Sequence, residues 1–371
     1  MTLEQRRVCI HRRYTRVIAN SFNRRKSLLW AAIVVLVAAF ALAPVLLSHD
    51  VYSYVDYARL GVVHGLDPYV HPPAAAPFDP AYARVTWIGA TSAYGPLFTL
   101  ATYPLAWLPV AAAVAVLKVA AALSVLGIAA LVSRLAPVRG VSPLGAAAFV
   151  ALNPVVLLQV VGGAHNDAIA MLLATLGVAA VLSAREATAG AAFIATLAIK
   201  IPAGTAAPFA LLATRPTGRN VEPGWAYRPV GGVLLGAALA AGAIGVAAYA
   251  AFGWHWLDAL GLVGENQDRT SHMSIPITLA RLTGFNATAV RASAFVLYAA
   301  LFVFLLIRTW QGADWLRCAA WASLGLLLAT AWLLPWYLIW TLPLVALSRD
   351  RPLQLLTLVL TVYQLPARLP L

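Results

Sequence analysis

The sequence predicts an all-α polytopic membrane protein, and three observations carry that reading. Hydrophobic residues make up 62% of the 371 and charged residues only 11%, against about 45–50% and about 25% in soluble domains. The apolar residues gather in runs of about 20, the length an α-helix needs to cross the hydrocarbon layer. Short polar stretches separate these runs, and lipid admits only helices or closed barrels. This composition excludes a soluble globule and a disordered chain alike. The two cysteines, Cys9 and Cys318, stand too far apart in sequence to suggest a disulfide framework or a metal cluster.

The runs read in order as Leu28–Leu47, Val110–Val132, Leu144–Val161, Ala168–Leu182, Gly231–Phe252, Ala287–Ile307, Cys318–Leu334, Pro335–Leu347 and Leu353–Leu365. The first is too long, and too free of a small-residue cleavage pattern before Asp50, for a cleaved signal peptide. Gly95–Leu108 is short and holds Pro96 and Pro104, so it reads as a dip without a crossing. Ala187–Ala213 is interrupted by Lys200, Pro202, Gly204 and Pro208 and reads as two half-helices. The sum is a bundle of about eleven crossings. A basic cytoplasmic segment over residues 1–27 precedes a single transmembrane domain over 28–371, with a long outward-facing first loop over 48–94.

Orientation follows from charge. Eight basic residues precede the first run: Arg6, Arg7, Arg12, Arg13, Arg16, Arg24, Arg25 and Lys26. The positive-inside rule then makes the N-terminus cytoplasmic. With Gly95–Leu108 as a dip, 18 of the 26 basic residues fall on that side. The net charge of +13 is thus a topology signal, and nucleic acid is not the expected partner. The opposite face carries 8 of the 13 acids and six of the seven histidines, so the active site is sought there, on the outer face of the plasma membrane.

Five constellations carry chemistry. The first is Ser48-His49-Asp50-Val51-Tyr52-Ser53-Tyr54-Val55-Asp56-Tyr57, followed by Gly65-Leu66-Asp67-Pro68-Tyr69. Asp50 stands where the first helix leaves the bilayer; a partly desolvated carboxylate there serves as a base, while the plainer reading is a helix N-cap by Ser48 or Asp50. Tyr52, Tyr54 and Tyr57 fit an interfacial belt. The second is Gly162-Gly163-Ala164-His165-Asn166-Asp167 after Asn153-Pro154. It reads as a helical turn capped by Asn166 or Asp167, or as a polar cluster with His165 as acid or donor.

The third is Lys200 in Ala198-Ile199-Lys200-Ile201-Pro202, a cation beside a helix break and so a phosphate site, or else a snorkelling side chain. Lys118 has no such break and reads as snorkelling. The fourth is the Trp254–Ser274 loop, where Arg269 reads as a clamp for phosphate or sugar or as part of a solvated surface. The fifth is Leu334-Pro335-Trp336-Tyr337-Leu338-Ile339-Trp340, a belt or a platform for an isoprenoid chain or sugar ring.

Neither a Walker A loop nor a dinucleotide fingerprint is present, so if the chain is an enzyme its activated substrate is expected to arrive within the membrane. No cofactor is predicted. His165 and Asp167 fall short of the three or four ligands a zinc site needs, and nothing in the sequence calls for a divalent cation.

Taken together, His49–Tyr54, Gly65–Tyr69, Tyr94-Gly95-Pro96-Leu97, Asn153-Pro154, Gly162–Asp167, Lys200-Ile201-Pro202 and Pro335-Trp336-Tyr337 resemble the polyprenyl-phosphate-mannose-dependent α-(1→6)-mannosyltransferases of actinobacterial envelopes. These belong to the GT-C superfamily of membrane glycosyltransferases. The resemblance implies a GT-C-like bundle, a polyprenyl-phosphate mannose donor, a lipid-linked mannan or glycolipid acceptor, and inversion at the sugar carbon, with Asp50 as general base. Lys200 and Arg269 are then candidates for the donor phosphate. His165, Asn166 and Asp167 would line the sugar or phosphate site. Tyr52, Asp56, Tyr94, Trp336 and Tyr337 are candidates for contact with acceptor or lipid. The chain departs from the pattern at Leu334, where related sequences often carry a His; His272 is the candidate substitute. The competing readings are a transporter or lipid flippase, which the one-sided polar clusters and the lack of an internal repeat disfavour, and a non-catalytic scaffold, which needs no Asp50.

Overall fold

The computed structural model describes residues 24–214, 230–261 and 269–367. Most of the basic segment expected over 1–27 therefore lies outside the described residues, as do Arg215, Arg219, Arg228 and the Glu265-Asn266-Gln267-Asp268 stretch. Among the described residues all regular structure is helical.

Four helices are long and apolar enough to cross a membrane: α1 (Arg24–Leu42), α4 (Val110–Leu135), α9 (Val230–Phe252) and α11 (Ala287–Trp310). Inside the molecule, α4 has 50% of its most apolar window buried, whereas α1 and α9 bury 11% and α11 only 6%. Helices apolar all round with so little buried need an apolar solvent, which is what lipid supplies. This is a membrane protein.

The remaining predicted crossings are not single long helices. Leu144–Val161 is split into α5 (Pro143–Ala151) and a π-helix (Val156–Val161). Pro154 removes a donor at the split, and the buried Asn153 amide substitutes there: its Oδ1 accepts from Val155 N and Val156 N, and its Nδ2 donates to Thr361. The half-helices expected over Ala187–Ala213 are α7 (Glu186–Leu197) and, beyond a 3₁₀ turn at Ile201–Gly204, α8 (Ala207–Ala213). The Gly95–Leu108 dip is a seven-residue helix, α3 (Pro96–Thr102), continued by a 3₁₀ turn at Tyr103–Trp107. Towards the C-terminus come α10 (Ile275–Thr283), α12 (Trp315–Ala329), a 3₁₀ turn (Pro335–Trp340), α13 (Leu342–Leu347) and α14 (Arg351–Gln364). The main core gathers α4, α5, the apolar helix α6 (Asp167–Leu182), α12 and α13.

The first loop opens with a 13-residue helix, α2 (Asp50–Val62). The chain reaches it through a pinned linker. Lys118 is buried, not snorkelling: its ammonium donates to the Ala43 and Pro44 carbonyls left open where α1 ends. Leu46 N then donates to Gly162 O. Lys118 on α4 and the Gly162 turn therefore set where α2 starts.

Helices α7 and α9 meet through small residues. A Cβ on Gly236 would lie 1.9 Å from the Ala187 carbonyl oxygen, and one on Gly190 would lie 2.0 Å from that of Val233, so only glycine permits this approach. Gly232 meets Glu186 while Gly236 and Ala237 meet Ala187 and Gly190, so the two helices run in the same direction. Their far halves, with Ile194 and Leu197 facing the side of Ala241 and Ile244, line a cavity. Gly236→Leu is expected to cost about 1–3 kcal/mol through overpacking. Gly242→Leu, on the same helix with nothing within 4 Å of its Cβ position, should be close to neutral; thermal unfolding of the two purified variants in detergent checks the difference.

Candidate functional site

The site is assembled at helix ends. Asp50 is the first residue of α2 and His49 holds the N-cap position without a side-chain hydrogen bond. The capping reading is therefore not what the carboxylate does: Ser48 Oγ accepts from Asp50 N, while Asp50 Oδ1 accepts from the Trp87 indole at 3.2 Å. Burial raises the Asp50 carboxyl above the ordinary carboxylate range, against the pull of Lys200 and the Trp87 hydrogen bond and with a further push from Asp167.

Lys200 sits between the half-helices. Its backbone is extended, and its ammonium donates to Asp167 Oδ2 at 3.2 Å. Asp167 Oδ1 accepts from Trp340 Nε1 at 2.7 Å. The Lys200 ammonium also lies 5.7 Å from the Tyr94 ring centre and 5.4 Å from that of Tyr337. It does not snorkel. The break that presents it is held by the Tyr94-Gly95-Pro96-Leu97 segment. Gly95 N donates to Ile199 O and Leu97 N to Ala198 O, satisfying carbonyls that the end of α7 leaves open. A Cβ on Gly95 would lie 2.1 Å from Ala198 O, so this docking needs glycine.

Asp50, Lys200 and Arg269 face one cavity of 400 Å³. The Arg269 guanidinium lies over the rings of Trp87 at 5.2 Å and Trp332 at 5.9 Å, not merely in a solvated loop. Aromatic wall comes from Tyr57, Trp87, Tyr94, Trp332, Trp336, Tyr337 and Trp340, and the far wall is the apolar α7–α9 surface. Asp50 is the one carboxylate among the described lining residues. Among the described residues the cavity thus offers one carboxylate, two cations and aromatic faces, opening onto an apolar wall.

Several predicted site residues stand elsewhere. His165, Asn166 and Asp167 are fully buried behind the wall and do not line the cavity. Asp167 reaches it through Lys200, His165 stacks on Trp336 with ring centres 3.8 Å apart, and Asn166 Oδ1 accepts from Tyr54 OH at 3.5 Å. Tyr52 is buried away from the cavity, its hydroxyl accepting from Arg84 at 3.1 Å; it is neither belt nor cavity contact. Tyr54 is likewise interior, while Tyr57, buried too and donating through its OH to Ala90 O, lines the cavity. His272 is exposed and off the cavity, while Leu334 lines it, so His272 does not fill the place of the missing His. The arrangement adds Trp87 and Trp332, which the sequence did not single out, and gives Trp340, read in sequence as belt or platform, an indole N–H on Asp167. Trp87 lies alone in a Pro-rich loop, 37 residues from the carboxylate it serves, and carries no motif.

Residues 7–216 match the family described as alpha-(1->6)-mannopyranosyltransferase, N-terminal domain. The chain belongs to the alpha-(1->6)-mannopyranosyltransferase family. It is 28% identical over 331 residues to alpha-(1->6)-mannopyranosyltransferase A of Mycobacterium tuberculosis, covering 82% of this chain and 63% of that relative. It is 30% identical over 190 residues to the protein of the same name from Corynebacterium glutamicum, covering 50% of this chain and 37% of that one. The chain therefore spans less than two thirds of the length of these relatives. No solved structure matches it. The family match includes Asp50, Tyr94, His165–Asp167 and Lys200 and stops before Arg269, Trp332 and Trp336.

Asp56 lies outside the cavity lining, with both carboxylate oxygens buried and unpartnered. Its nearest charges are Asp79, Arg59 and His64, which pair among themselves. Burial, then the Asp79 charge, push Asp56 up to about 7, against His64 and Arg59. Between the ordinary carboxylate value and about 7 the folded protein holds a proton that the unfolded chain releases. Stability therefore falls as pH rises through that window. Asp56→Asn is expected to flatten the fall and to leave the variant more stable than wild type at about pH 8 by at least about 1 kcal/mol. Melting curves at about pH 5 and about pH 8 decide it, and a wild-type midpoint equal at both excludes it.

Proposed function

We propose that this chain transfers a mannosyl residue from a polyprenyl-phosphate donor to a hydroxyl of a lipid-linked mannan or glycolipid. The observation that carries this reading is the single cavity faced by Asp50, Lys200 and Arg269. In the reaction the acceptor oxygen attacks the sugar C1 from the face opposite the phosphate. Asp50 takes the hydroxyl proton as the new C–O bond forms. The bond from C1 to the phosphate oxygen breaks, the electron pair leaves with the polyprenyl phosphate, and the configuration at C1 inverts. Lys200 and Arg269 offset the charge that gathers on the leaving phosphate, in a site where burial strengthens the interaction.

The other walls support the same substrates. Ile194, Leu197, Ala241 and Ile244 offer an apolar surface suited to a prenyl chain. Trp87, Trp332 and Trp336 offer ring faces suited to a sugar. The relatives' names state alpha-(1->6)-mannopyranosyl transfer, and this chain's acceptor linkage is proposed to be the same. The basic N-terminal segment and the acids of the first loop support a multi-pass protein with a cytoplasmic N-terminus and a cavity open to the outer face of the plasma membrane. No metal is assigned a role, and among the described residues no group of three potential ligands gathers.

Membranes carrying wild type or Asp50→Asn at matched expression, supplied with polyprenyl-phosphate labelled mannose, test the proposal. Wild type should label lipid-linked mannan, and Asp50→Asn should lose about 10²–10⁴ of that rate. Equal rates overturn Asp50 as base, and no transfer by either overturns the donor. In the same assay Arg269→Gln, which keeps a polar side chain but loses the charge, should reduce kcat/KM about tenfold or more. An unchanged value removes Arg269 from the phosphate.

A further inference from the structure

His165 is a fully buried imidazole with neither ring nitrogen hydrogen-bonded. A neutral imidazole carries one donor and one acceptor, and an interior that leaves them bare is unfavourable. The chain also distorts its backbone to deliver this ring. The π-helix Val156–Val161 ends just before it, Ala164 sits at φ 56°, and His165 N donates five residues back to Val160 O. A left-handed non-glycine residue is strained, and π-turns gather at functional sites. The stack on Trp336, 3.8 Å between centres and 18° between planes, fixes the ring's plane. Its Nδ1 then lies 3.8 Å from Asp50 Oδ2, the Asp50 oxygen that the Trp87 indole does not hold.

We propose that His165 is a positioning residue for the Asp50 base, with its neutral Nδ1–H donating to Asp50 Oδ2 in the working enzyme. A small shift of the Asp50 side chain, which lines the cavity wall, closes the remaining gap to the stacked ring. Trp87 and His165 then hold one oxygen each. Together they fix the plane of the carboxylate and keep its charged form available where burial opposes it. His165 does not line the cavity, so it acts on the substrate only through Asp50. This rests on the reading of Asp50 as base.

The groups facing this pair from the surrounding elements are Lys200 and Asp167, with the Tyr54, Tyr57, Tyr94 and Tyr337 hydroxyls. Burial holds Tyr54, Tyr57 and Tyr94 in their protonated form well past neutral pH. Buried beside Lys200, His165 is held in its neutral form, as the donor role requires.

The test reads Asp50 directly. The purified full chain is reconstituted in lipid and its protonated-carboxyl infrared band is followed against pH, the Asp50 component being the part lost in Asp50→Asn. His165→Phe keeps a ring on Trp336 and removes the donor; His165→Asn puts an amide N–H near the place of Nδ1. The Asp50 midpoint should move up by about one unit, tenfold in proton affinity, in His165→Phe and return towards wild type in His165→Asn. In the transfer assay the acid limb of kcat should move in parallel, with the donor KM unchanged. A midpoint shared by wild type and His165→Phe overturns the proposal, and so does a rise in KM alone. If His165→Phe does not fold, His165→Gln, whose amide does not reproduce Nδ1, takes its place under the same criteria. The infrared readout needs no turnover: a shifted midpoint without mannosyl transfer sinks the functional reading and keeps the pairing, whereas loss of transfer in Asp50→Asn with no shift does the reverse.

Discussion

The Lys200–Asp167 ion pair ties the site together. Lys200 lies in the gap between α7 and α8, Asp167 is the first residue of α6, and Trp340 closes the turn before α13 with its indole on the second Asp167 oxygen. Three elements distant in sequence thus meet at one carboxylate. Breaking a buried pair leaves an uncompensated charge and costs about 3–5 kcal/mol, so the local fold is held as firmly by this polar junction as by its apolar packing. The same pair aims the Lys200 ammonium at the cavity between the Tyr94 and Tyr337 rings. One side chain thus joins the structural junction and faces the cavity.

An apolar bundle with a polar cavity must solve a second problem, because irregular backbone is tolerated at such depth only where its donors and acceptors find partners. Each break here finds them. Lys118 covers the end of α1, Gly95 and Leu97 cover the end of α7, and the Asn153 amide covers the Pro154 interruption. The breaks are the reason that Asp50 and Lys200 converge: a continuous helix buries its polar backbone within itself and presents side chains only, whereas an interrupted one brings a helix terminus and its charges to the wall. Glycine contacts at Gly190 and Gly236 hold α7 against α9, and the same two helices supply the apolar wall further along.

Chemistry-bearing residues differed in how far the sequence revealed them. Asp50 was legible because a carboxylate at the end of a long apolar run is anomalous wherever it points. Lys200 was legible for the same reason, with Pro202 beside it marking the break. The His165-Asn166-Asp167 cluster was legible as polar, but not its direction: the three residues support the wall from behind. Tyr52 and Asp56 looked equivalent to their neighbours and stand off the cavity, because position around the helix axis decides which side of α2 a residue occupies, whereas His272 is exposed in the turn before α10. Trp87 and Trp332 escaped notice, since an indole in an aromatic-rich chain is unremarkable until its neighbours are seen.

By itself the sequence determined that the chain is helical and built for lipid, where the apolar runs lie, where prolines and glycines interrupt them, and which charges stand at their ends. These are properties of composition and period, which act locally. The tertiary structure alone decided which charges share a cavity, which carboxylate faces it, and which tryptophan serves which oxygen. Those facts depend on contacts between residues tens to hundreds of positions apart, and on the rotation of each short helix about its own axis. A few degrees of that rotation separate a buried partner from an exposed side chain, and no local pattern records it.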